Sequence, residues 1–300
     1  MNRAKNKKWS FENVTFTTLN TVFLLLLSAI MLYPILNTLA ISFNDGLDAV
    51  RGGITILPRQ FSLQNYNVLF HKDTIYTAFF ISVARVVVQV VTNVFFTAML
   101  AYALSRNEYI LRKPVTVIFV LTMYFDAGLI PTYLLMRDLH LLNNFIVYWL
   151  PSIISAFNLI MIRTYMRTIP ESLIESAKID GAGEFRVWWQ IIMPLCLPTL
   201  AVIALLVAVG SWNDWMAPML YTSGVQRLST LQFELQKLLA SAMSQVGPNQ
   251  ATAQAQGGNQ TTPLSLRSAI TIIAAVPILC VYPFLQRYFV TGLTIGGVKE

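Results

Sequence analysis

Charge is what this sequence has least of for its length. Only 12% of its 300 residues are Asp, Glu, Lys or Arg, too few to give one or two soluble domains a polar surface. Histidine is almost missing: His71 and His140 stand about 70 residues apart with no second ligand at metal spacing, so no metal centre is expected and both are read as loop histidines. Two cysteines, Cys196 and Cys280, have no CxxC spacing and are read as buried thiols. There is no GxxxxGK[ST] run, which excludes P-loop ATP binding by this chain. No basic patch is interleaved with aromatics, which excludes a nucleic-acid groove. Among the acids of the apolar runs only Asp126 and Asp214 are candidates for catalysis, and neither stands in a GxGD setting, so the proton-sharing carboxylate pair of an intramembrane protease is missing.

What is abundant is apolar sequence, at 55% of residues and a mean hydropathy of +0.58. The class is integral membrane. Six runs are long enough to cross a bilayer as helices: about 17 to 42, 75 to 104, 114 to 136, 145 to 166, 197 to 221 and 267 to 290. Their continuity, without ten-residue alternation, favours an all-α bundle over a barrel. The first run is too long for a signal peptide and lacks a small-residue cleavage site, so it is read as a retained helix. With the N-terminus inside, thirteen Lys and Arg fall on inner segments and seven on outer ones, with Arg85 left in the second span. That asymmetry places both termini in the cytoplasm and makes the net charge of +7 a topological signal and an attraction to anionic headgroups. Three regions follow: a cytoplasmic tail at 1–16, a membrane domain at 17–290 and a cytoplasmic tail at 291–300.

Between the runs, Ser42 to Asp73 is a large external segment, long enough to fold over the outer mouth. The short "SRNEYILRKP" makes spans two and three a tight antiparallel pair, with Pro114 suited to a first helical turn. "LSTLQFELQKLLASA" predicts a short helix at the outer interface through Leu231, Phe233, Leu235, Leu238 and Leu239, and the uncharged "SQVGPNQATAQAQGGNQTTP" after it reads as a loop.

One polar island interrupts the apolar runs: "TIPESLIESAKIDGAGEFRVWWQIIMPL", 168–195. Thr168 and Glu171 have the spacing of a capping box, with Pro170 accepted in the first turn, which predicts a helix from near Ile169 to Ile179. Gly181 suits a left-handed stop after Asp180. A second short helix is predicted from about Glu184 to Met193, before Pro194 and Pro198 open the fifth span. By physics alone the island is either an interfacial hairpin that ends two spans or a cytoplasmic knob with a task.

The spacing Glu175-Ser176-Ala177, Gly181, Ile191 and Met193-Pro194 resembles the cytoplasmic EAA loop of binding-protein-dependent ABC importer permeases. Ser176 replaces the usual second Ala and Met193 the usual Leu, both close in size. The resemblance extends over nearly the whole chain: "VTGLTIGGVKE" looks like the tail of maltose-type sugar permeases. "LTMYFDAGLIPTYLL", "GGITILPRQFSLQNY" and "YPFLQRYFV" look like the complex-oligosaccharide permeases of Gram-positive bacteria. Asp126 stands where that subgroup more often has a small residue.

The resemblance implies an all-α, six-transmembrane, MetI-like bundle of the type I importers, in the cell membrane of a Gram-positive bacterium, with coupling helices at about 168–193. It implies a non-catalytic subunit that binds no cofactor, with ATP and Mg on a partner. The implied partners are a second, non-identical permease, two copies of an ABC ATPase, an extracellular solute-binding lipoprotein, and a sugar. Glu175, Ser176, Ala177, Asp180, Gly181 and Pro194 are then the ATPase-coupling residues. Sugars bind by stacking and hydrogen bonding, so Trp212, Asn213, Asp214, Trp215, Tyr124, Asp126 and Asn158 are the candidate substrate-path residues, or else tie helices together. Two other classes stand beside this one. A stand-alone secondary transporter would use Asp126, Asp214 and Arg85 as a charge relay, and an enzyme on lipid-linked sugars would use one of those acids as a base.

Overall fold

The computed structural model of the chain describes residues 11–71, 73–244 and 261–295. The Gln-rich loop expected after the outer helix lies almost wholly outside them. All named elements among the described residues are helices, with one isolated antiparallel bridge between Asn44 and Phe61. Contacts divide the chain into two units, Met1–Leu69 with Leu239–Ile273, and Phe70–Leu238 with Ala274–Glu300.

The first unit contains α1 (Phe11–Ser42), α2 (Gly46–Val50) and most of α3 (Gln64–Phe70). α1 begins before the expected boundary at 17. Its segment Val14–Ser42 is long and apolar enough to cross a membrane. The segment after it, expected to be external, is held by side chains rather than by regular structure. Asp45 caps α2 by accepting from the Leu47 and Asp48 amides. Buried Asn65 donates to the Ser42 and Asn44 carbonyls at 3.0 and 2.9 Å and accepts from Ser265 at 2.7 Å. Arg59 reaches buried Asp48 at 3.0 Å.

The second unit is built on α4 (Asp73–Ser105), 33 residues with neither Pro nor Gly inside. The third, fourth and fifth spans beside it are interrupted. The expected third span is two helices, α5 (Arg112–Thr122) and α6 (Leu129–Asp138), separated at Met123–Gly128, where Gly128 takes φ +84°. One continuous helix over 114–136 is thus not formed: the positive φ is a glycine conformation that no helix continues through. The fourth span is two 3₁₀ turns, Phe145–Tyr148 and Leu150–Ser152, followed after a 48° bend by α7 (Ala156–Met166). α8 (Glu171–Ile179) follows. The next arm, Glu184–Leu195, consists of α9 (Glu184–Val187), one π turn (Trp188–Ile192) and α10 (Met193–Leu195). It meets α11 (Leu197–Asn213) at 80°, with Pro198 accepted at the start of α11. α12 (Met216–Tyr221) continues the fifth span after a break at Asp214–Trp215. α13 (Leu231–Ser244) is the expected outer helix, with Leu231, Phe233 and Leu235 buried. α14 (Pro263–Ile295) contains Pro277 and Pro283 and runs past the expected start of the tail at 291.

Three helices, within α1, α4 and α14, are each long and apolar enough to cross a membrane, and the two bent pairs, 145–166 and 184–213, reach that test when each is taken together. Cys280, expected to be buried, is exposed on α14, while Cys196 is fully buried. The packing core of the second unit joins α4 to α7, α8, the 184–195 arm and α11 through Ala98, Ala101, Leu104, Ile162, Met166, Ile174, Val187, Trp188, Ile192 and Ile203. Trp188 is the largest side chain fully enclosed there, set edge-on to Phe95 of α4 with ring centroids 5.3 Å apart. Trp188→Ala is expected to lower stability by about 3–5 kcal/mol, read as a fall in the unfolding temperature in detergent. Trp189→Ala, at a half-exposed ring next to it, is the comparison that should lose far less.

Candidate functional site

The polar island folds as an elbow of two arms. Its first arm, α8, starts at Glu171 rather than near Ile169, and the expected capping box is not made. Pro170 occupies the cap position with no side-chain bond, and Thr168 Oγ1 turns back to the Tyr165 carbonyl at 2.7 Å. Proline has no side-chain acceptor, and the Thr hydroxyl finds a carbonyl on the preceding turn instead. The end of α8 is as expected. Gly181 takes φ +82°, its amide bonds the Lys178 carbonyl at 3.0 Å, and the Ala182 amide bonds the Ala177 carbonyl at 2.9 Å. This pair of bonds is a Schellman stop, which requires a left-handed residue at the turn.

Burial sorts the two faces of the elbow. Ile174, Ala177, Val187, Trp188 and Ile192 face the core. Ala177, expected to permit close approach of a partner, is 8% exposed and permits close approach of the elbow to its own bundle. Glu175, Ser176, Asp180, Gly181 and Pro194 lie on the open side, as do Leu173 and Ile179, the latter 86% exposed. Ile179 was missed by sequence reasoning, although an isoleucine one position before the helix stop, off the Ile174–Ala177 row, was legible as outward-facing.

Charged groups fix the elbow's orientation. Glu184 accepts from the Tyr102 hydroxyl of α4 at 2.6 Å and pairs with Lys178 of α8 at 2.7 Å, and Lys178 also reaches Glu108 of the α4–α5 loop at 3.2 Å. Hydrogen bonds to Glu184 and then Glu108 hold the Lys178 ammonium above its ordinary pKa range. All three charges are partly or largely solvent-exposed, so pairs of this kind contribute little energy. The buried Trp188 and its neighbours supply the stability, and the Glu184 bridge selects the angle.

A second polar assembly lies along one row of α4. Ser82, Arg85, Gln89, Asn93 and Thr97 recur at three- and four-residue spacing, and all but Gln89 are buried. Asn93 donates to the Ser152 carbonyl at 2.7 Å and accepts from Asn158 at 2.9 Å, while Gln89 bonds the Ser152 hydroxyl at 2.9 Å. Arg85 donates to the Asp214 carbonyl at 3.1 Å and to its carboxylate at 2.5 Å, and lies 4.7 Å over the Tyr148 ring. Tyr148 bonds Thr222 and the Leu228 carbonyl, each at 2.6 Å, and Ser82 accepts from the Leu231 amide at 2.8 Å. The breaks in the fourth and fifth spans are thus met, carbonyl by carbonyl, by side chains of the one unbroken helix beside them.

The candidate substrate-path residues divide on this geometry. Asn158 belongs to the Asn93 network. Trp212 is 9% exposed, donates to the Ala274 carbonyl at 3.0 Å and packs edge-on to Phe79. Both tie helices together. Asp214 balances Arg85 and also accepts from the Met216 and Ala217 amides at 2.9 and 3.1 Å, which starts α12. Asn213, Tyr124 and Asp126 are exposed and Trp215 is partly so, with Asp126 bonded to the Gly128 amide at 3.2 Å within its own turn. A cavity of about 240 Å³ between α4, α11 and α14, lined by Phe79, Val87, Leu205, Trp212 and Pro277 among others, offers no free polar side chain, since the Trp212 indole is already bonded. It cannot recognise sugar hydroxyls, which need hydrogen-bond partners when desolvated.

Comparison with known proteins agrees with the elbow motif. Residues 75–295 match the family model described as binding-protein-dependent transport system inner membrane component. The chain is 34% identical to the polygalacturonan/rhamnogalacturonan transport system permease protein YtcP of Bacillus subtilis, covering 96% of this chain and 99% of that protein. It is 31% identical to the arabinooligosaccharides transport system permease protein AraQ of Halalkalibacterium halodurans, over 90% of this chain and 92% of that one. A crystal structure of a bacterial ABC transporter involved in the import of the acidic polysaccharide alginate contains a chain that superposes with a TM-score of 0.82 at 31% identity, over 94% of this chain and 99% of that one.

Because Arg85 is 3% exposed and Asp214 33%, removing the acid alone leaves a buried cation. Asp214→Asn, which keeps the acceptor for α12, is expected to destabilise the protein by about 3 kcal/mol. Arg85→Met with Asp214→Asn should recover most of that loss in detergent unfolding. A double variant that falls by the sum of the two single losses would show that the pair is not coupled.

Proposed function

The chain belongs to the family of binding-protein-dependent transport system inner membrane components, a multi-pass, non-catalytic membrane subunit of an ABC importer, and on that premise we propose the details of its task. It forms half of the transmembrane pathway for an oligosaccharide or polysaccharide fragment delivered by an extracellular binding lipoprotein. Its other half is a second, non-identical permease, and two copies of a cytoplasmic ABC ATPase carry ATP and Mg. The membrane is that of a Gram-positive bacterium, the chain crosses it six times, and both termini are cytoplasmic. The names of the relatives support the carbohydrate class, and the Lys and Arg asymmetry of the loops supports the orientation.

The observation that carries the mechanism is the elbow itself: a glycine-stopped pair of helices, fixed against α4 on one face, with Glu175, Ser176, Ile179 and Asp180 open on the other. In this reading the open face enters a cleft of the ATPase, with Ile179 as its apolar contact and Glu175 opposite a cationic group. Closure of the ATPase pair on ATP then pushes on a body that cannot flex at its own joint. Asn213 and Trp215 are the path residues with side-chain surface left to offer a sugar, and Tyr124 and Asp126 are the pair at the α5–α6 break. The stand-alone transporter has less support, because Asp214 is committed to Arg85 and Asp126 bonds its own turn.

No atom lies within 4 Å of where a Cβ at Gly181 would sit. Gly181 holds φ +82°, so Gly181→Trp strains the stop of α8 locally while meeting no neighbouring side chain; the variant is expected to leave the chain inserted in the membrane while abolishing sugar-stimulated ATP hydrolysis. Full stimulation in that variant would contradict the coupling role. Sugar uptake by the purified chain in liposomes without ATP would instead favour the ion-gradient transporter.

A further inference from the structure

The elbow and the α4 row leave one group of charges unused. Arg112 opens α5, while Arg163 lies in the last turn of α7 and Arg167 directly follows it. Two of the side chains reach the end of α4 and the loop that leaves it. Arg163 Nε donates to the Leu104 carbonyl at 2.9 Å, and Arg112 bonds the Asn107 side chain three residues further on. α5 and α7 are in contact, and the charges on Arg163 that act against its own are those of Arg167 and Arg112. The nearby acids are otherwise engaged. Glu184 and Glu108 pair with Lys178, and Glu171 is reached only through Asn107, at 3.5 Å. Among the described residues none of the three guanidiniums is in an ion pair with a carboxylate.

Helix electrostatics do not explain the group. A cation is favoured at the C-terminus of α7, but Arg112 stands at the N-terminus of α5, where the exposed amides already carry positive charge. Three like charges grouped where α5 starts and α7 ends repel one another, and an anion among them would relieve that repulsion. The adjoining loop is apolar at its surface: Tyr109, Ile110 and Leu111 are exposed in sequence, Ile110 by 91%. A tyrosine and two aliphatic side chains beside arginines at the ends of three spans are the composition of a membrane interface. We propose that Arg112, Arg163 and Arg167 bind the phosphodiester of an anionic phospholipid, with Tyr109, Ile110 and Leu111 set against its glycerol and upper acyl region. The shared chemistry is a phosphate in a fork of guanidiniums. The apolar loop favours the lipid over free phosphate.

The test uses the full chain in nanodiscs holding phosphatidylglycerol and phosphatidylcholine in equal amounts, followed by extraction and quantification of the lipid that stays bound. Phosphatidylglycerol should be enriched. Arg112→Gln and Arg167→Gln should each lower the enrichment about fivefold. Arg163 is left in place because it bonds the Leu104 carbonyl. Arg186→Gln, at an exposed elbow arginine bonded to Gln190, should leave the enrichment unchanged. Unfolding temperatures in phosphatidylcholine alone identify a variant that has lost its fold. If either cluster variant is lost in this way, the charge-keeping Arg112→Lys and Arg167→Lys, which should hold the enrichment better than their Gln counterparts, replace it. Equal retention of both lipids by the wild type would overturn the proposal, as would enrichment insensitive to the cluster. Displacement of the lipid by inorganic phosphate, with equal protection, would assign the site to the free anion instead. Intact enrichment with loss of ATPase binding would assign it to a protein partner.

Discussion

A helix broken inside a membrane exposes carbonyls and amides where no water can satisfy them, and one face of α4 answers that constraint at the breaks of the fourth and fifth spans. The third, fourth and fifth spans are all interrupted, and α4 is not. Asn93 and Gln89 meet the fourth at Ser152, and Arg85 meets the fifth at Asp214. A single unbroken helix thus sets the bends of its neighbours. It can do so because 33 residues without Gly or Pro keep the polar row in register from Ser82 to Thr97.

The same helix reaches the elbow. Below the polar row, Ala98 and Ala101 let Trp188 and its neighbours approach, and Tyr102 holds Glu184. The small residues create the contact and the aromatic fills it, so the elbow is packed against α4 rather than hinged to it. In the proposed coupling role, a push on Ile179 would be delivered to the α4 row, and through Arg85 and Asn93 to the two bends. The π turn at Trp188–Ile192 is itself part of the packed joint, and the 80° corner before α11 lies just beyond it. An importer subunit needs both qualities: a stiff receiver for the ATPase and compliant bends along the pathway.

Much of this was legible in the sequence, and the exceptions have physical reasons. The left-handed stop at Gly181, the helix end at Ile179 and the outer helix at Leu231 follow from local chemistry, and the structure has them. The capping box at Thr168 does not form, because spacing alone cannot say whether a hydroxyl will accept from the free amides of the next helix or donate to a carbonyl of the preceding turn. The continuous third span fails at Gly128, since a run of apolar residues reports burial and not backbone continuity. Ala177 shares the inward face of α8 with Ile174 by helical spacing, and only the continuation of that row to Val187, across the glycine elbow, escapes periodicity. Arg85 and Asp214 lie 129 positions apart, and only the fold brings them together. The polar row on α4 could have been found: Ser82, Arg85, Gln89, Asn93 and Thr97 recur at helical spacing within an apolar run. That is the signature of a helix that bonds its neighbours.

The central claim is that the elbow and α4 move as one body when the motor closes. Spin labels at Ile179 on the open face of the elbow and at Val91 on α4, both exposed, measure it in the assembled complex by pulsed dipolar spectroscopy. The account predicts the same narrow distance distribution without nucleotide and with ATP trapped. A distribution that shifts or splits between those states would contradict it, because the elbow would then be hinged to the helix it is meant to drive.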